Sequence, residues 1–339
     1  MSSTKNVWLI ACPSSQLVAS QPKSVTLMDE PLVVYRDANG VPHVLEDRCC
    51  HRGVQLSLGR VTSAGNLACG YHGWEYDGCG TCVHVPSLAC NAPVPKGFRV
   101  RAYPCIEQDF YVWAWMGDGE PDIAALHRIK DLERYPWRQG TVHAECRADY
   151  LMDNILDSSH LPFVHKGTHP SYFLNRINGF MEYDYEVRAT DRGVTVFYPP
   201  VEEHAETFPG DAVSSYLNFE LPDRVYVFQR GSKNHFHLVL HLVRESEKRS
   251  RVEWLMVDLA GEPGSVTWDT NPNTTITQDR VIIESAQINY DREGAGFERH
   301  VPADFPLLLL RKAVALFNAG EWHSRRGELT QRKLVRVRQ

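Results

Sequence analysis

Apolar residues in the first third of the chain come in short runs that suit β-strands. Residues 25–28 and 111–116 are such runs, and turn-forming Gly, Asn and Asp residues separate them from their neighbours. Short strands bounded by turn signals are typical of a small antiparallel β domain. Residues 117–121 are rich in turn-forming types. They predict a boundary between one domain at 1–118 and another at 119–339.

The second part of the chain combines longer strand patterns with helical ones. Alternation of apolar and polar residues predicts strands over residues 179–190, 195–198, 214–220, 224–230, 236–243 and 251–258. Apolar periodicity predicts helices over residues 151–160, 275–290 and 306–317. Strands followed by a long helix predict an α+β domain, with the helix across one face of an antiparallel sheet.

The composition indicates folded domains and argues against several classes of protein. Hydrophobic residues make up 43% of the 339 residues and charged residues 23%, which suits packed cores. The net charge of −6 argues against broad nucleic-acid binding. No apolar stretch has the length of a membrane span, so we expect no membrane partner. The first residues lack the length and charge of a secretory signal, so we expect a cytoplasmic protein.

Two further patterns in the second part of the chain are typical of surface positions. The tail at 324–339 contains six Lys and Arg residues and one Glu. This excess is typical of a solvated helix end or tail, and a docking patch for an acidic partner is the alternative. His235, His237 and His241 share one face of a predicted strand, where we expect solvent-side residues. Contact with a substrate or a metal is the alternative for these histidines.

The nine cysteines all precede residue 148. Two of them, together with two nearby histidines, have the spacing of a metal site. Cys49 and His51 form a C-x-H pair, and Cys69 and His72 form a C-x-x-H pair. Structural zinc sites usually place two cysteines together, whereas here each loop offers one Cys and one His. A [2Fe–2S] cluster with two Cys on one iron and two His on the other suits this arrangement, and zinc is the alternative.

The two loops resemble those of the Rieske iron–sulfur proteins. Cys-Cys-His-Arg-Gly at 49–53 is similar to the family's C-x-H-R-G, and Cys-Gly-Tyr-His-Gly-Trp at 69–74 is similar to its C-x-Y-H-G-W. The resemblance implies four ligands of a [2Fe–2S] cluster: Cys49, His51, Cys69 and His72. It also implies that Cys50 stands where the family usually has proline. We expect Cys79 and Cys82 to be loop cysteines, and a redox dithiol is the alternative.

A second candidate site surrounds His160 and His165, which are five residues apart. Pro162 between them disfavours an unbroken helix, so the chain can turn and bring both imidazoles to one point. Two His and one carboxylate form a facial triad that leaves open positions on Fe(II), which suits oxygenase chemistry. Asp279 is the candidate carboxylate, because an acid within an apolar helix stripe is costly unless it is paired or metal-bound. Glu284, on a different face of that helix, is the alternative.

The resemblance extends to the Rieske non-haem iron oxygenases, large (α) subunit. Residues 154–165 match their catalytic iron motif, N-x-x-D-x-x-H-x₄-H. Residues 277–284 are similar to the segment E-D-x₄-E of their smaller members, with Gln278 in place of the first Glu. The resemblance implies three ligands of a mononuclear Fe(II): His160, His165 and Asp279.

Two residues before the histidines have further roles in this resemblance. Asp157 lies one helical turn before His160. In the family, this Asp links that histidine to the second Rieske histidine, here His72, of a neighbouring chain. The family forms head-to-tail homotrimers, so we expect the same assembly here. Asn154 is expected to face the iron. An ordinary exposed helix acid is the alternative for Asp157.

Length and segment order look most like the vanillate and dicamba O-demethylases, toluenesulfonate methyl-monooxygenases and methylxanthine N-demethylases. The resemblance implies an N-terminal all-β Rieske domain followed by a helix-grip (START-like) catalytic domain. It implies a monooxygenase that uses O₂ and NAD(P)H-derived electrons from a separate reductase or ferredoxin component. Such an enzyme hydroxylates or oxidatively O- or N-demethylates a small aromatic or heterocyclic substrate. A ring-hydroxylating cis-diol dioxygenase and a Rieske electron-transfer protein without oxygenase activity are the alternatives.

Overall fold

The structure is a computed structural model, and it divides into two compact units, residues 3–130 and 131–339. The residues that it describes are 6–89, 92–126, 128–129, 132–157, 159–165, 182–198, 214–230, 235–259, 272–330 and 332–338. Within these ranges, no helix combines the length and the apolar character that a membrane crossing requires.

The first unit consists of short β-strands and a few 3₁₀ turns. In chain order the strands are β1 (Val7–Pro13), β2 (Lys23–Leu27), β3 (Glu30–Arg36), β4 (Pro42–Glu46), β5 (Arg60–Val61), β6 (Leu67–Ala68), β7 (Glu75–Tyr76), β8 (Cys82–His84), β9 (Ala102–Tyr103), β10 (Cys105–Gln108) and β11 (Tyr111–Met116). They form antiparallel sheets in the orders β1-β11-β10, β2-β3-β4-β9 and β5-β6-β7-β8. The predicted N-terminal all-β domain is confirmed.

The core of the first unit packs around the two Cys-His loops. One loop follows β4 and the other connects β6 to β7. Leu45, Leu56 and Leu67 are fully buried and belong to the same apolar cluster as Cys49 and Cys69. Burial of these side chains therefore stabilises the fold and fixes the positions of both cysteines.

The second unit is one antiparallel sheet with helices packed on it. In chain order its elements are β12 (Trp137–Ala144), α1 (Ala148–Leu156), α2 (Leu161–Val164), β13 (Glu182–Ala189), β14 (Gly193–Tyr198), β15 (Ser214–Glu220), β16 (Arg224–Arg230), β17 (His235–Arg244), β18 (Ser250–Asp258), α3 (Pro272–Glu293), α4 (Phe305–Asn318), α5 (Trp322–Arg325) and β19 (Arg332–Arg338). The strand order is β12-β18-β17-β16-β15-β14-β13-β19. The predicted α+β class, its long helix and its strands within the described residues are confirmed, and residues 179–181 of the first predicted strand lie outside the described residues.

Helices α1, α3 and α4 pack on one face of this sheet. Buried side chains from the strands, such as Phe219 and Val225, form one apolar cluster with Leu151 of α1, Ile283 of α3 and Leu310 of α4. The strand period of two residues brings alternate side chains to this face. The cluster holds α1 and α3 in fixed positions: α3 carries Asp279, and α1 leads into the segment that contains His160 and His165.

The histidines of β17 lie on the face of the strand opposite to this core. His235 and His237 are half-buried, whereas His241 is only 1% exposed, so the expected solvent-side position is wrong for His241. Its register neighbours are Arg224 on one side and Glu253 on the other. Burial and the positive charge of Arg224 lower the pKa of His241 well below its usual value.

The basic tail forms an edge strand of the sheet, so the expected solvated helix end is wrong for its last part. β19 pairs antiparallel with β13, and its register places residues 336 and 338 opposite the acidic positions 184 and 182. Val335 is 2% exposed and belongs to the apolar core, whereas Leu334 beside it is 62% exposed. The apolar alternation within the tail, and not its charge, determines the structure of this segment.

Substitution of the buried residue of β19 tests this assignment. We expect Val335→Ala to lower the free energy of unfolding by about 2 kcal/mol, because it removes buried methyl groups and leaves a cavity. Leu334→Ala is the matched control and is expected to change it by less than about 0.5 kcal/mol. Chemical denaturation followed by circular dichroism measures both. Equal effects of the two substitutions would contradict the strand register.

Candidate metal centres

The two Cys-His loops of the first unit repeat one backbone hydrogen-bond pattern. The N–H of Cys49 donates to the carbonyl of Val54 at 2.8 Å, and the N–H of Gly53 donates to the carbonyl of Cys49 at 2.9 Å. The second loop repeats both bonds, at 2.8 and 3.0 Å, around Cys69 and Gly73. The φ angles of the two glycines are +74° and +71°, a conformation that other residues rarely adopt. The shape of each loop therefore requires glycine at residues 53 and 73.

The four predicted cluster ligands differ in exposure in a way that fits a binuclear cluster. Cys49 and Cys69 are each 2% exposed, whereas His51 and His72 are exposed and have ring centroids 4.8 Å apart. Burial raises the pKa of Cys69, and the neighbouring Cys49 thiol raises it further. Two adjacent buried thiols become thiolates readily only when a metal compensates their charge. The buried thiols and exposed imidazoles match the Cys₂ and His₂ sides of a Rieske cluster.

Tyr76, which the sequence analysis did not single out, contacts both adjacent cysteines. Its hydroxyl lies 3.1 Å from Sγ of Cys49 and 3.3 Å from Sγ of Cys50. It also accepts a hydrogen bond from the N–H of Cys50 at 3.2 Å. Cys50 is exposed, whereas Cys49 is buried beside Cys69. Of the two cysteines, Cys49 is therefore the one positioned to face a cluster.

The C-x-x-C pair of the first unit lies at the start of β8. Cys79 is exposed in the preceding turn, whereas Cys82 is buried as the first residue of β8, so the expected loop position is wrong for Cys82. Burial and the nearby Cys50 raise the pKa of Cys82 to about 11. Redox dithiols instead depend on a cysteine whose pKa is lowered.

Three side chains converge in the second unit. Nε2 of His160 and Nε2 of His165 are 3.3 Å apart, and Oδ1 of Asp279 lies 3.4 and 3.1 Å from them. Ligand atoms about 2.1 Å from one ion, at angles of about 90 to 109°, are about 3.0 to 3.4 Å apart. The three atoms therefore fit one metal ion. Within the described part of the chain, these three residues form the set of His, Cys, Asp or Glu side chains that could hold a metal ion, with their ligand atoms all within 4.8 Å of one another.

A break in the chain after α1 brings the two histidines together. The helix ends at Leu156, because Asp157 is extended, with φ −84° and ψ 106°. His160 and His165 then flank the single turn of α2, and the N–H of His165 donates to the carbonyl of Leu161 at 3.1 Å. The predicted break in the helix is confirmed, but it precedes His160, and Pro162 lies in the first turn of α2. Proline is tolerated there because no helical N–H is lost.

Neighbouring amides orient two of the three converging groups. Nδ1 of His165 lies 2.9 Å from Oε1 of Gln278, and this contact orients the ring so that Nε2 points toward Asp279. Nδ2 of Asn154 lies 3.5 Å from Oδ1 of Asp279, which supports the expectation that Asn154 faces the site. Gln278, which departs from the family pattern, thus supplies the carbonyl oxygen that this imidazole needs.

The electrostatics of this site favour a cation. Burial disfavours the charged form of His160, but the carboxylates of Asp157 and Asp279 raise its pKa to about 9. Burial also opposes ionisation of Asp279, yet hydrogen bonds from His160 and His165 lower its pKa below the usual value. A pocket that stabilises a protonated imidazole and an ionised carboxylate is suited to a divalent metal in place of the proton.

The two remaining acidic candidates lie in different surroundings. Asp157 accepts a hydrogen bond from the N–H of Ser159 at 2.7 Å, and its Oδ2 lies 3.8 Å from Nδ1 of His160. Its side chain is 37% exposed. Glu284, the alternative third ligand, instead accepts a hydrogen bond from the N–H of Glu145 at 2.9 Å and takes no part in the converging set.

An ion-pair network that the sequence analysis missed holds α1 in place. Arg311 of α4 donates to Oδ2 of Asp153 at 2.6 and 3.0 Å, and to Glu298 at 2.5 and 2.8 Å. The hydroxyl of Tyr290 on α3 also donates to Glu298. The network thus connects α1, α3 and α4. Asp153 directly precedes Asn154, so the network fixes the helix that faces Asp279.

Two known families match the chain. The family described as the Rieske [2Fe-2S] domain matches residues 7–104. The first unit therefore contains a Rieske domain. The family described as the vanillate O-demethylase oxygenase C-terminal domain matches residues 144–326, more than half of the chain. The chain belongs to the vanillate O-demethylase oxygenase family, which confirms the resemblance that the two iron-site motifs indicate.

Individual relatives match over parts of their length. Chlorophyllide a oxygenase of Chlamydomonas reinhardtii is 32% identical over 253 residues, which are 72% of this chain and 36% of the relative. The oxygenase component of dicamba O-demethylase from Stenotrophomonas maltophilia is 36% identical over 171 residues, 49% of each protein. The match thus spans half or less of these relatives.

Solved structures confirm the predicted fold. The crystal structure of dicamba monooxygenase bound to dicamba has a TM-score of 0.74 to this chain. The match covers 95% of this chain and 99% of that chain, at 23% sequence identity. At this identity the likeness concerns the fold, an N-terminal β domain followed by a sheet with a long helix.

Removal of the guanidinium at position 311 tests the ion-pair network. We expect Arg311→Met to lower the free energy of unfolding by about 2 to 3 kcal/mol, because it leaves a largely buried carboxylate at Asp153 without its partner. Arg325→Met is the control: Arg325 pairs with Glu321 and Glu328 at the surface, so its loss is expected to lower the free energy of unfolding much less than Arg311→Met does. Urea denaturation measures both. A smaller effect at Arg311 than at Arg325 would refute the role of the network.

Proposed function

We propose that this chain is the terminal oxygenase component of a Rieske monooxygenase system. It uses O₂ and NAD(P)H-derived electrons to hydroxylate, or oxidatively O- or N-demethylate, a small aromatic or heterocyclic substrate. The observation that carries the proposal is the convergence of His160, His165 and Asp279 in a chain that also has a Rieske domain. Electron transfer alone requires only the Rieske domain, so this second site favours an oxygenase over an electron-transfer protein.

Each proposed metal centre has its own set of residues. Cys49, His51, Cys69 and His72 would hold the [2Fe–2S] cluster, and His160, His165 and Asp279 would hold the mononuclear Fe(II). When bound, the cluster supplies single electrons and the Fe(II) supplies O₂ activation. The chain's own contribution is positional: Gln278 orients the imidazole of His165, and Asn154 approaches the carboxylate of Asp279. Two imidazoles and one carboxylate leave coordination positions open for O₂.

Asp157 is proposed to connect the two kinds of centre between neighbouring copies of the chain. Burial opposes its ionisation, but His160 and the N–H of Ser159 lower its pKa, so it remains an anionic acceptor. His72 is exposed and could donate to the Asp157 of a neighbouring copy. Exposed apolar side chains accompany each site, Tyr71 beside His72 and Phe163 in α2. These features support the head-to-tail homotrimer that the family resemblance implies. A separate reductase or ferredoxin would deliver electrons at the exposed edge of the proposed cluster, where His72 lies.

The character of the sheet near α1 supports a small apolar substrate. The register aligns Leu217, Val227, Leu238 and Met256 across four neighbouring strands. The first three are only partly buried although they pack against the apolar core, as does Ile155 on α1. Apolar side chains that the helices leave partly uncovered suit an aromatic ring. One relative is a dicamba O-demethylase, and the matching family is that of the vanillate O-demethylase oxygenases. Both similarities favour demethylation over ring dihydroxylation.

Replacement of the third ligand tests the proposal. Asp279→Ala is expected to lose the mononuclear iron while keeping the visible spectrum of the cluster. With methoxybenzoates, O₂ and a generic reductase, wild type should release formaldehyde and the variant should lose at least about 100-fold in rate. Glu284→Ala, on the same helix, is the control and should retain both iron and turnover. Full turnover by Asp279→Ala would exclude the triad, and a wild-type protein that holds zinc without sulfide would exclude the whole assignment.

Neutralisation of Asp157 tests the proposed route of electron transfer between neighbouring copies of the chain. Asp157→Asn should leave both metal centres bound, because this side chain is not among their proposed ligands. It should slow reoxidation of the reduced cluster by O₂ and substrate by more than about tenfold, since a neutral amide is a weaker acceptor than a carboxylate. Stopped-flow absorbance in a single turnover measures this rate. Asp149→Asn, on the same helix, is the matched control. An unchanged rate in Asp157→Asn would indicate a different route.

A further inference from the structure

Cys50 is not a proposed cluster ligand, but it contacts the hydroxyl of Tyr76, which also contacts the proposed ligand Cys49. The hydroxyl of Tyr76 has two sulfur neighbours, Sγ of Cys49 at 3.1 Å and Sγ of Cys50 at 3.3 Å. A tyrosine hydroxyl carries one hydrogen. A cluster-bound Cys49 sulfur can only accept, so the two sulfurs compete for this hydrogen.

The surroundings of Tyr76 restrict its hydrogen to these two acceptors. Tyr76 is fully buried, so solvent does not compete for it. The N–H of Cys50 donates to the hydroxyl oxygen at 3.2 Å and holds that oxygen between the sulfurs. A tyrosine hydroxyl keeps its hydrogen at neutral pH.

The direction of this hydrogen affects the proposed cluster. A hydrogen bond to a cluster sulfur favours the reduced state, which carries one more negative charge, and thereby raises the reduction potential. Whenever the hydroxyl points to Cys50, this stabilisation is lost. We propose that Cys50 lowers the reduction potential of the Rieske cluster by competing with Cys49 for the hydroxyl hydrogen of Tyr76. Cys50 is then a positioning residue, and the inference rests on the proposed cluster ligands.

A double-mutant cycle on the full-length chain tests this competition. Tyr76→Phe removes the hydrogen and should disfavour reduction about tenfold, which is about 59 mV for one electron. Cys50→Ala removes the competing sulfur and should favour reduction roughly threefold, because the hydroxyl hydrogen is then no longer shared between two acceptors. In the Tyr76→Phe background, Cys50→Ala should have no effect. Spectroelectrochemical titration of the cluster absorption measures all four potentials, and Cys50→Val repeats the test if the alanine variant does not assemble a cluster.

Two controls are available in the same unit. Cys79→Ala removes another exposed thiol and should leave the potential unchanged. Tyr35→Phe removes a buried hydroxyl that makes no hydrogen bond to the described residues, and should also leave it unchanged. An unchanged potential in both Cys50 variants, or an equal shift with and without the Tyr76 hydroxyl, would overturn the inference. Absence of any cluster in the wild-type chain would instead overturn the proposed function, so the two failures are distinguishable.

Discussion

The buried carboxylate of Asp279 between two imidazoles is the interaction on which the second unit depends. A carboxylate with little solvent contact is costly unless positive or hydrogen-bonding groups surround it. The surrounding structure supplies them: the break after α1 presents His160 and His165, while Gln278 orients one ring. The helix packing and the Arg311 network hold α1 beside α3, where Asn154 of α1 approaches the carboxylate of Asp279. The apolar core therefore serves the site chiefly by fixing two helices relative to each other.

Much of both candidate sites could be predicted because their residues are close in sequence. The C-x-H and C-x-x-H pairs each belong to one short loop, so spacing alone indicates a shared metal. Asp279 was predictable for another reason, since a lone acid in an apolar helix stripe requires a partner. Arg311 had no such signal, because its partner Asp153 is 158 residues away in sequence. Tyr76 likewise reads as an ordinary strand aromatic until the fold places it beside two cysteines.

Hydrophobic periodicity predicts the fold except where polarity or charge suggests exposure. The polarity of His241 predicts a surface position, but the side chain is buried in the sheet. The arginines of the basic tail predict a solvated segment, whereas the tail pairs with β13 as a strand and buries Val335. In both places the tertiary pairing of strands decides burial, and a single-strand pattern does not contain that information. Pro162, by contrast, does not break the helix: it lies in the first turn of α2 together with Leu161, and the chain leaves the helical conformation earlier, at Asp157.

The difference in exposure within the first unit makes its candidate cluster one-sided. The thiols face the interior, and the imidazole rings of His51 and His72 form the accessible edge. In the proposed system, an electron-donor protein and the recipient centre would therefore approach through the same small area. Encounters that share one binding area alternate in time, so the side chains around these rings would have to be compatible with two different partners. These side chains would consequently face a compromise between tight binding and rapid exchange, which residues on the buried side do not face.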